Sequence, residues 1–203
     1  MSSFDERKKG FEKKFVHDEE KQFKINAKKN KYLGEWASQI LGYDEENQKQ
    51  YIKPDHNIIE ANSDGVRTNP LDTYLNGYAN RIIAFRPKLE NEDIKIILKS
   101  LYSFLGFDYD FDFDLTSGEK QACSEIIYRS YNGMGNINIE LEEVLGATTL
   151  SGDKLLNNFI NDGESTLLFL AVENEARPNK AKIYEGTEAF EYIKTNVPGV
   201  VKH

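Results

Sequence analysis

The chain has 203 residues, of which 26 are Lys or Arg and 34 are Asp or Glu, so its formal net charge is −8. This length allows one substantial core with an appendage, or two small domains. The acidic balance argues against a general nucleic-acid binder, because contact with phosphates requires a basic surface. A single cysteine excludes an internal disulfide framework and is typical of a reducing compartment.

The N-terminal segment predicts a cytoplasmic protein. Charged residues begin at Asp5, and no apolar stretch has the length of a signal peptide or a membrane span. We also expect no cofactor and no metal. Gly133 and Gly135 lack the third glycine and the lysine of a phosphate loop. The alternating aspartates of residues 108–114 could gather a calcium ion, but they lack the glycine and the distal glutamate of a known calcium loop.

The first 31 residues differ in charge from the rest. Residues 5–31 contain ten Lys or Arg and six Asp or Glu, a local charge of +4 that leaves −12 for residues 32–203. Phe4, Phe11, Phe15 and Phe23 follow an interrupted helical stripe. Because each turn carries only about one apolar residue, two interpretations stay open: a frayed, solvated helix, or a helix that orders on binding a partner.

This arm resembles a known family. The motifs are Phe4, Arg7, Phe11-Glu12-x-Lys14-Phe15, His17-Asp18-Glu19-Glu20, Phe23-Lys24, Ala27-Lys28-Lys29-Asn30-Lys31, Leu33-Gly34-x-Trp36-Ala37 and Leu41-Gly42. They are similar to the N-terminal half of the alphaproteobacterial zeta subunit, an inhibitor of F-type ATP synthase, up to about Tyr51. The resemblance implies a helix that binds the catalytic head of the ATP synthase and blocks ATP hydrolysis. Its implied contacts are Phe4, Arg7, Phe11, Phe15 and Phe23.

After His56 the pattern becomes that of alternating strands and helices. Turn residues 62–65 separate two short strands, and Pro87 stops a third. Apolar residues at helical spacing predict a helix that ends at Gly106. The elements expected are strands at 57–61, 65–68, 81–86, 109–113 and 166–172, a helical turn at 70–75, and helices at 92–105, 123–134 and 154–160. In the strand 109–113 we expect one buried aromatic face and one acidic face. The fold class is therefore α+β, with short antiparallel strands and packed helices.

Cys123 is the candidate nucleophile. Ile126, Ile127 and Tyr131 recur at helical spacing, which places Cys123 in or near the first turn of a helix. Backbone N–H groups and the helix dipole favour the thiolate at such a position. From the residues alone, a small buried hydrophobic cysteine is the alternative interpretation.

Residues 57 to about 170 carry a second resemblance. The motifs, in order, are Ile59-Glu60-Ala61, Gly65-Val66-Arg67, Pro70-Leu71, Arg86-Pro87, Leu105-Gly106, Tyr109-Asp110-Phe111 and Cys123-Ser124-Glu125-Ile126-Ile127-Tyr128. They are similar to the YiiX/YebB-like permuted papain-fold hydrolases, relatives of the NlpC-type peptidases. The resemblance implies that Cys123 attacks an amide or ester carbonyl of an acyl or peptide substrate, that Glu60 is the acidic partner, and that Tyr109 lies near the thiol. It divides the chain into a helical arm, 1–53, and a permuted papain-like domain, 54–203, that lacks its first strands.

The predicted site lacks a well-placed catalytic base. Papain-like catalysis needs an imidazole to deprotonate the thiol, and His56 is the one histidine close to the hydrolase-like region. Along an extended strand His56 would lie about 13 Å from Glu60, too far for a direct hydrogen bond. The family's histidine, a strand further upstream, is missing. The sequence therefore predicts an impaired cysteine hydrolase joined to an inhibitor-like arm, and leaves open whether the chain is an enzyme. The alternative is a non-catalytic protein that inhibits ATP hydrolysis through residues 1–50.

Overall fold

The computed structural model describes residues 53, 55–74, 79–173 and 181–197, together with scattered positions between 25 and 46. Two compact units divide the chain, Met1–Asn57 and Ile58–His203. In the first unit the described positions from Ile25 to Gln39 are helical, with Ser38 buried and Trp36 half-buried. The predicted ATPase contacts lie outside the described residues: Phe4, Arg7, Phe11, Phe15 and Phe23.

The second unit has a mixed α+β fold, as predicted. Its strands are β1 (Ile58–Asn62), β2 (Gly65–Asn69), β3 (Arg81–Pro87), β4 (Glu142–Val144), β5 (Ala147–Thr149), β6 (Ser165–Glu173) and β7 (Ala181–Tyr184). Its described helices are α1 (Asn91–Ser103), α2 (Cys123–Tyr131), α3 (Gly152–Asn161) and α4 (Gly186–Asn196). The strands pair antiparallel as β1-β2, β3-β6-β7 and β4-β5.

The β1-β2 hairpin has two chemically different faces. Ala61, Val66 and Thr68 are buried on one face, while Glu60 pairs with Arg67 on the other. At the turn, the Asp64 N–H donates to the Asn62 side-chain oxygen at 3.0 Å. The alternation of side chains along the two strands therefore sets which of them face the interior.

The hairpin is held against the loop that follows α1 by two backbone hydrogen bonds. The Val66 N–H donates to the Phe107 carbonyl at 2.8 Å, and the Gly106 N–H donates to the Val66 carbonyl at 2.9 Å. Gly65 has φ of +94°, and a Cβ on it would lie 2.5 Å from the Phe107 oxygen. Glycine is required at this position by both the backbone conformation and the contact.

A second core forms where α4 covers the three-stranded sheet. Leu170 of β6 packs with Ala189 and Ile193 of α4 and with Val197. The sequence patterns predicted β3 and β6, but they predicted neither α4 nor β7. Another core joins Leu115, Ile137, Ile139 and Leu150, with residues of α2 and α3 packed against them.

The strand predicted at 109–113 is wrong. This segment is irregular, and Phe113 has φ of +54°. Asp110 is the cause, because its carboxylate accepts the Asp112 N–H at 2.9 Å and the Asp114 N–H at 3.2 Å and so turns the chain. The predicted buried aromatic face and exposed acidic face are also absent. Asp110 is only 3% exposed, whereas Phe111 and Phe113 are 65% and 45% exposed.

We expect Gly65→Ala to lower the free energy of unfolding by about 3 kcal/mol or more, since the methyl group meets a backbone oxygen at a left-handed residue. Gly146→Ala is the matched control: Gly146 has φ of +86°, and a Cβ on it would have nothing within 4 Å. It should cost about 1 kcal/mol. Urea unfolding of both variants measures the difference, and equal losses would contradict the role of the Phe107 contact.

Candidate functional site

The thiol of Cys123 lies at the beginning of α2. Cys123 is the first helical residue and is exposed, which confirms the predicted position in the first turn. Glu125 reaches back, and its Oε2 accepts the Ala122 N–H at 2.7 Å. This is one half of a capping box. Ala122 has no side-chain oxygen, so it offers no acceptor to the N–H groups of the first turn, and the positive end of the helix dipole is not capped by this residue.

Two cavities meet at Cys123. The larger, of about 640 Å³, has mainly apolar walls from β1, β3, α1, α2 and α3, including Ile59, Phe85, Ile126 and Phe159. The smaller, of about 530 Å³, is lined by the 112–113 loop and the β4-β5 hairpin; its walls are also mainly apolar, with Asp112 and Glu142 among the lining residues. The exposed Cys123 therefore borders two mainly apolar cavities.

Glu60 lies on the wall of the same large cavity as Cys123, but its carboxylate is fully engaged. Oε1 accepts hydrogen bonds from Asn62 at 2.9 Å, from Arg67 at 3.3 Å and from Asn69, and Oε2 accepts from the Tyr74 hydroxyl. All four donors belong to the hairpin or to the turn after it. This arrangement fixes the carboxylate in place, and leaves it poorly suited to accept a proton from the thiol.

Tyr109 is a neighbour of Cys123, close enough for the two side chains to interact electrostatically. Burial, and then the charge and hydrogen bond of Cys123, raise the pKa of the Tyr109 hydroxyl, so it stays protonated as a donor. Its ring makes edge contacts with Phe111 and Phe113, at centroid distances of 4.9 and 6.0 Å.

His56, the fourth predicted catalytic residue, belongs to the first unit. It is half-buried there, and its backbone N–H donates to the Lys53 carbonyl at 3.0 Å. The structure thus brings Cys123 and Glu60 to one cavity, with Tyr109 close to Cys123. The catalytic roles of these four residues stay predictions.

The sequence patterns did not predict that polar side chains on one side of α2, and just before it, are buried. Gln121, Glu125 and Arg129 are spaced by four residues, and one polar atom of each is buried without a hydrogen-bond partner. Such spacing on a helix normally indicates the solvent face. Here the loop before α2 covers it: the Gln121 side chain donates to the Gly118 carbonyl at 3.2 Å, and Arg129 donates to the carbonyls of Leu115, at 2.9 Å, and Ser117.

Neither a metal cluster nor a membrane-spanning helix is present in the described residues. Within that part of the chain, no three His, Cys, Asp or Glu side chains are grouped as a metal site would require. Among the same residues no helix combines the length and the apolar character needed to cross a membrane.

Comparison with known proteins bears on the N-terminal third of the chain. Residues 1–69 match the family model of ATPase inhibitor subunit zeta. No curated protein and no solved structure matches the chain. The zeta match takes in β1 and β2 of the second unit. The match therefore extends beyond Tyr51, where the resemblance read from the sequence ended.

We expect Glu60→Ala to lower the free energy of unfolding by about 2 to 4 kcal/mol, because it leaves several part-buried donors without an acceptor. Asp64→Ala is the control, since Asp64 also pairs with Arg67, at 2.6 Å, but its side chain is 66% exposed against 16% for Glu60. The control should change stability by less than about 0.5 kcal/mol. Equal effects in urea unfolding would show that Glu60 does not organise the hairpin.

Proposed function

We propose that the chain binds the catalytic head of F-type ATP synthase through its N-terminal segment and inhibits ATP hydrolysis. The observation that carries this proposal is the match of residues 1–69 to ATPase inhibitor subunit zeta. The charge pattern supports it, since the arm of residues 5–31 carries +4 within a chain of net charge −8. A basic segment with regularly spaced phenylalanines suits binding by a helix whose apolar side enters a groove.

The test is ATP hydrolysis by a purified catalytic head in the presence of the full chain. We expect inhibition by the unmodified chain and its loss, by about tenfold or more in the inhibitory concentration, when Phe4, Phe11 and Phe15 are all replaced by Ala. The control variant replaces Phe111 and Phe113 by Ala, two exposed aromatic residues outside the matched segment. It should inhibit normally. Unchanged hydrolysis at a saturating concentration of the chain would refute the proposal.

A second candidate function is acyl transfer at Cys123, which the position of the thiol favours. The sulfur lies at a helix N-terminus, neighbours Tyr109 and borders an apolar cavity that suits the acyl part of a substrate. In the proposed step the sulfur bonds to the carbonyl carbon, the amide or ester bond breaks, and the thiol proton passes to the leaving amine or alcohol. Water then releases the acid and restores the thiol.

Such a site would be impaired on amides. Residues 58–202 contain no histidine, and the oxygens of Glu60 are occupied by four donors. Without a positioned acid to protonate an amine leaving group, the reaction loses a factor of about 10² to 10⁴. An activated ester needs no such protonation, because its leaving group departs as an anion.

Paired acyl probes test this function. We expect an activated phenyl ester to acylate Cys123, and the alkyl amide of the same acid to give no detectable adduct over the same period. Mass spectrometry of the intact chain measures both reactions, and Cys123→Ser should abolish the ester adduct. Rapid reaction with the amide that is lost in His56→Ala would instead show a complete cysteine–histidine site, and absence of any ester adduct would remove the candidate function.

A further inference from the structure

Two buried carboxyl groups lie behind the thiol. Glu125, in the first turn of α2, is 2% exposed, and Asp110, in the preceding loop, is 3% exposed. Burial raises the pKa of the Glu125 carboxyl, and the charge and side-chain hydrogen bond of the neighbouring Asp110 raise it further. Two ionised carboxylates cannot bond to each other, because both only accept, and a buried pair of like charges is unfavourable. A proton on one oxygen of the pair would remove both conflicts.

The surrounding hydrogen bonds indicate which group holds it. Asp110 accepts two backbone N–H groups, one on each oxygen, so both of its oxygens already act as acceptors. Glu125 accepts one, from Ala122 on Oε2, and its buried Oε1 has no other partner. A proton on Oε1 can be donated to Asp110. Burial, followed by the charge of Asp110, raises the pKa of the Glu125 carboxyl, in agreement with this assignment.

The other charged groups near Glu125 do not replace this proton. Arg129, on the same helix, lowers the pKa of the Glu125 carboxyl through its charge, but burial outweighs this effect and the pKa stays raised. Its Nη2 donates to the Leu115 and Ser117 carbonyls. Between α2 and α1 the Ser130 hydroxyl donates a hydrogen bond to the Ser100 hydroxyl at 3.0 Å, and neither group carries a charge. From β1 the titratable residue is Glu60, which binds donors of its own hairpin. Tyr109 is a further titratable neighbour, which interacts electrostatically with both Glu125 and Cys123.

We propose that Asp110 and Glu125 share one proton, and that this proton ties the 108–114 loop to the first turn of α2 and positions the Tyr109 hydroxyl at the Cys123 sulfur. Loss of the proton places a second negative charge beside Asp110 and loosens the loop. Glu125 is then a positioning residue that makes the environment of the thiol pH-dependent. This role adds a regulatory feature to the proposed acyl-transfer function. It rests on that proposed function only for its effect on the reactivity of the thiol, and not for its effect on stability.

The pH dependence has a definite sign. A carboxyl group whose pKa is higher in the folded than in the unfolded state stabilises the fold fully at pH values below its unfolded pKa. That contribution is lost as the pH rises through the folded pKa. The folding constant of the unmodified chain should therefore fall with pH relative to that of a chain with a neutral side chain at position 125. The total fall is about tenfold for each unit by which folding raises the pKa of the Glu125 carboxyl.

The experiment compares the unmodified chain with Glu125→Gln between pH 5 and pH 9. An amide keeps the geometry, since its oxygen can accept the Ala122 N–H and its NH₂ can donate to Asp110, but it cannot titrate. We expect the ratio of the two folding constants to move against the unmodified chain as the pH rises. Glu119→Gln, at an exposed glutamate in the segment between the 108–114 loop and α2, is the control and should show a constant ratio.

Alkylation of Cys123 by iodoacetamide gives the second readout, and mass spectrometry follows it without ambiguity because the chain has a single cysteine. The plot of alkylation rate against pH should show two inflections in the unmodified chain, one from the thiol and one from Glu125. The Glu125→Gln variant should show only the inflection of the thiol. Identical pH dependences of both stability and alkylation in the two chains would overturn the proposal. A simple alkylating reagent needs no acyl-transfer activity, so failure of the candidate function and failure of this inference are separate results.

Discussion

The buried first turn of α2 is the constraint on which the rest of the site depends. Glu125 binds the backbone N–H of Ala122 with one oxygen and reaches Asp110 with its carboxyl group, so one side chain both caps the helix and holds the loop. Asp110 in turn bends residues 110–114 and leaves Phe111 and Phe113 at the surface. Tyr109 directly precedes Asp110, and Cys123 is the first residue of the helix that Glu125 caps, so this buried polar pair adjoins the exposed thiol.

The β1-β2 hairpin gives Glu60 a structural role beside any chemical one. Its carboxylate gathers donors from both strands and from Tyr74, while the opposite face of the hairpin is buried and Gly65 contacts the backbone of Phe107. The same hairpin belongs to the segment that matches ATPase inhibitor subunit zeta and to the wall of the cavity beside Cys123. The two proposed functions therefore share this element of the second unit.

Sequence patterns predicted the elements whose side chains obey a simple period. The turn residues 62–65 predicted the β1-β2 hairpin, and the helical spacing of apolar residues predicted α1, in which Ile97 is buried. The same rule failed at residues 109–113, because side-chain bonds from Asp110 to the backbone outweigh an alternating pattern. The same rule did not identify Glu125 as a buried residue. Polar residues at helical spacing normally indicate a solvent-exposed face, and only the fold shows that a loop covers this one.

The titration of the Glu125 carboxyl, followed by NMR in a chain with labelled glutamate side chains, tests the shared proton most directly. A shared proton predicts a midpoint above the ordinary glutamate pKa, with the Tyr109 ring signals changing over the same pH range, because burial and Asp110 both oppose ionisation. In Asp110→Ala that midpoint should fall. A midpoint at or below the ordinary value in the unmodified chain would contradict a shared proton and, with it, the proposed control of the thiol.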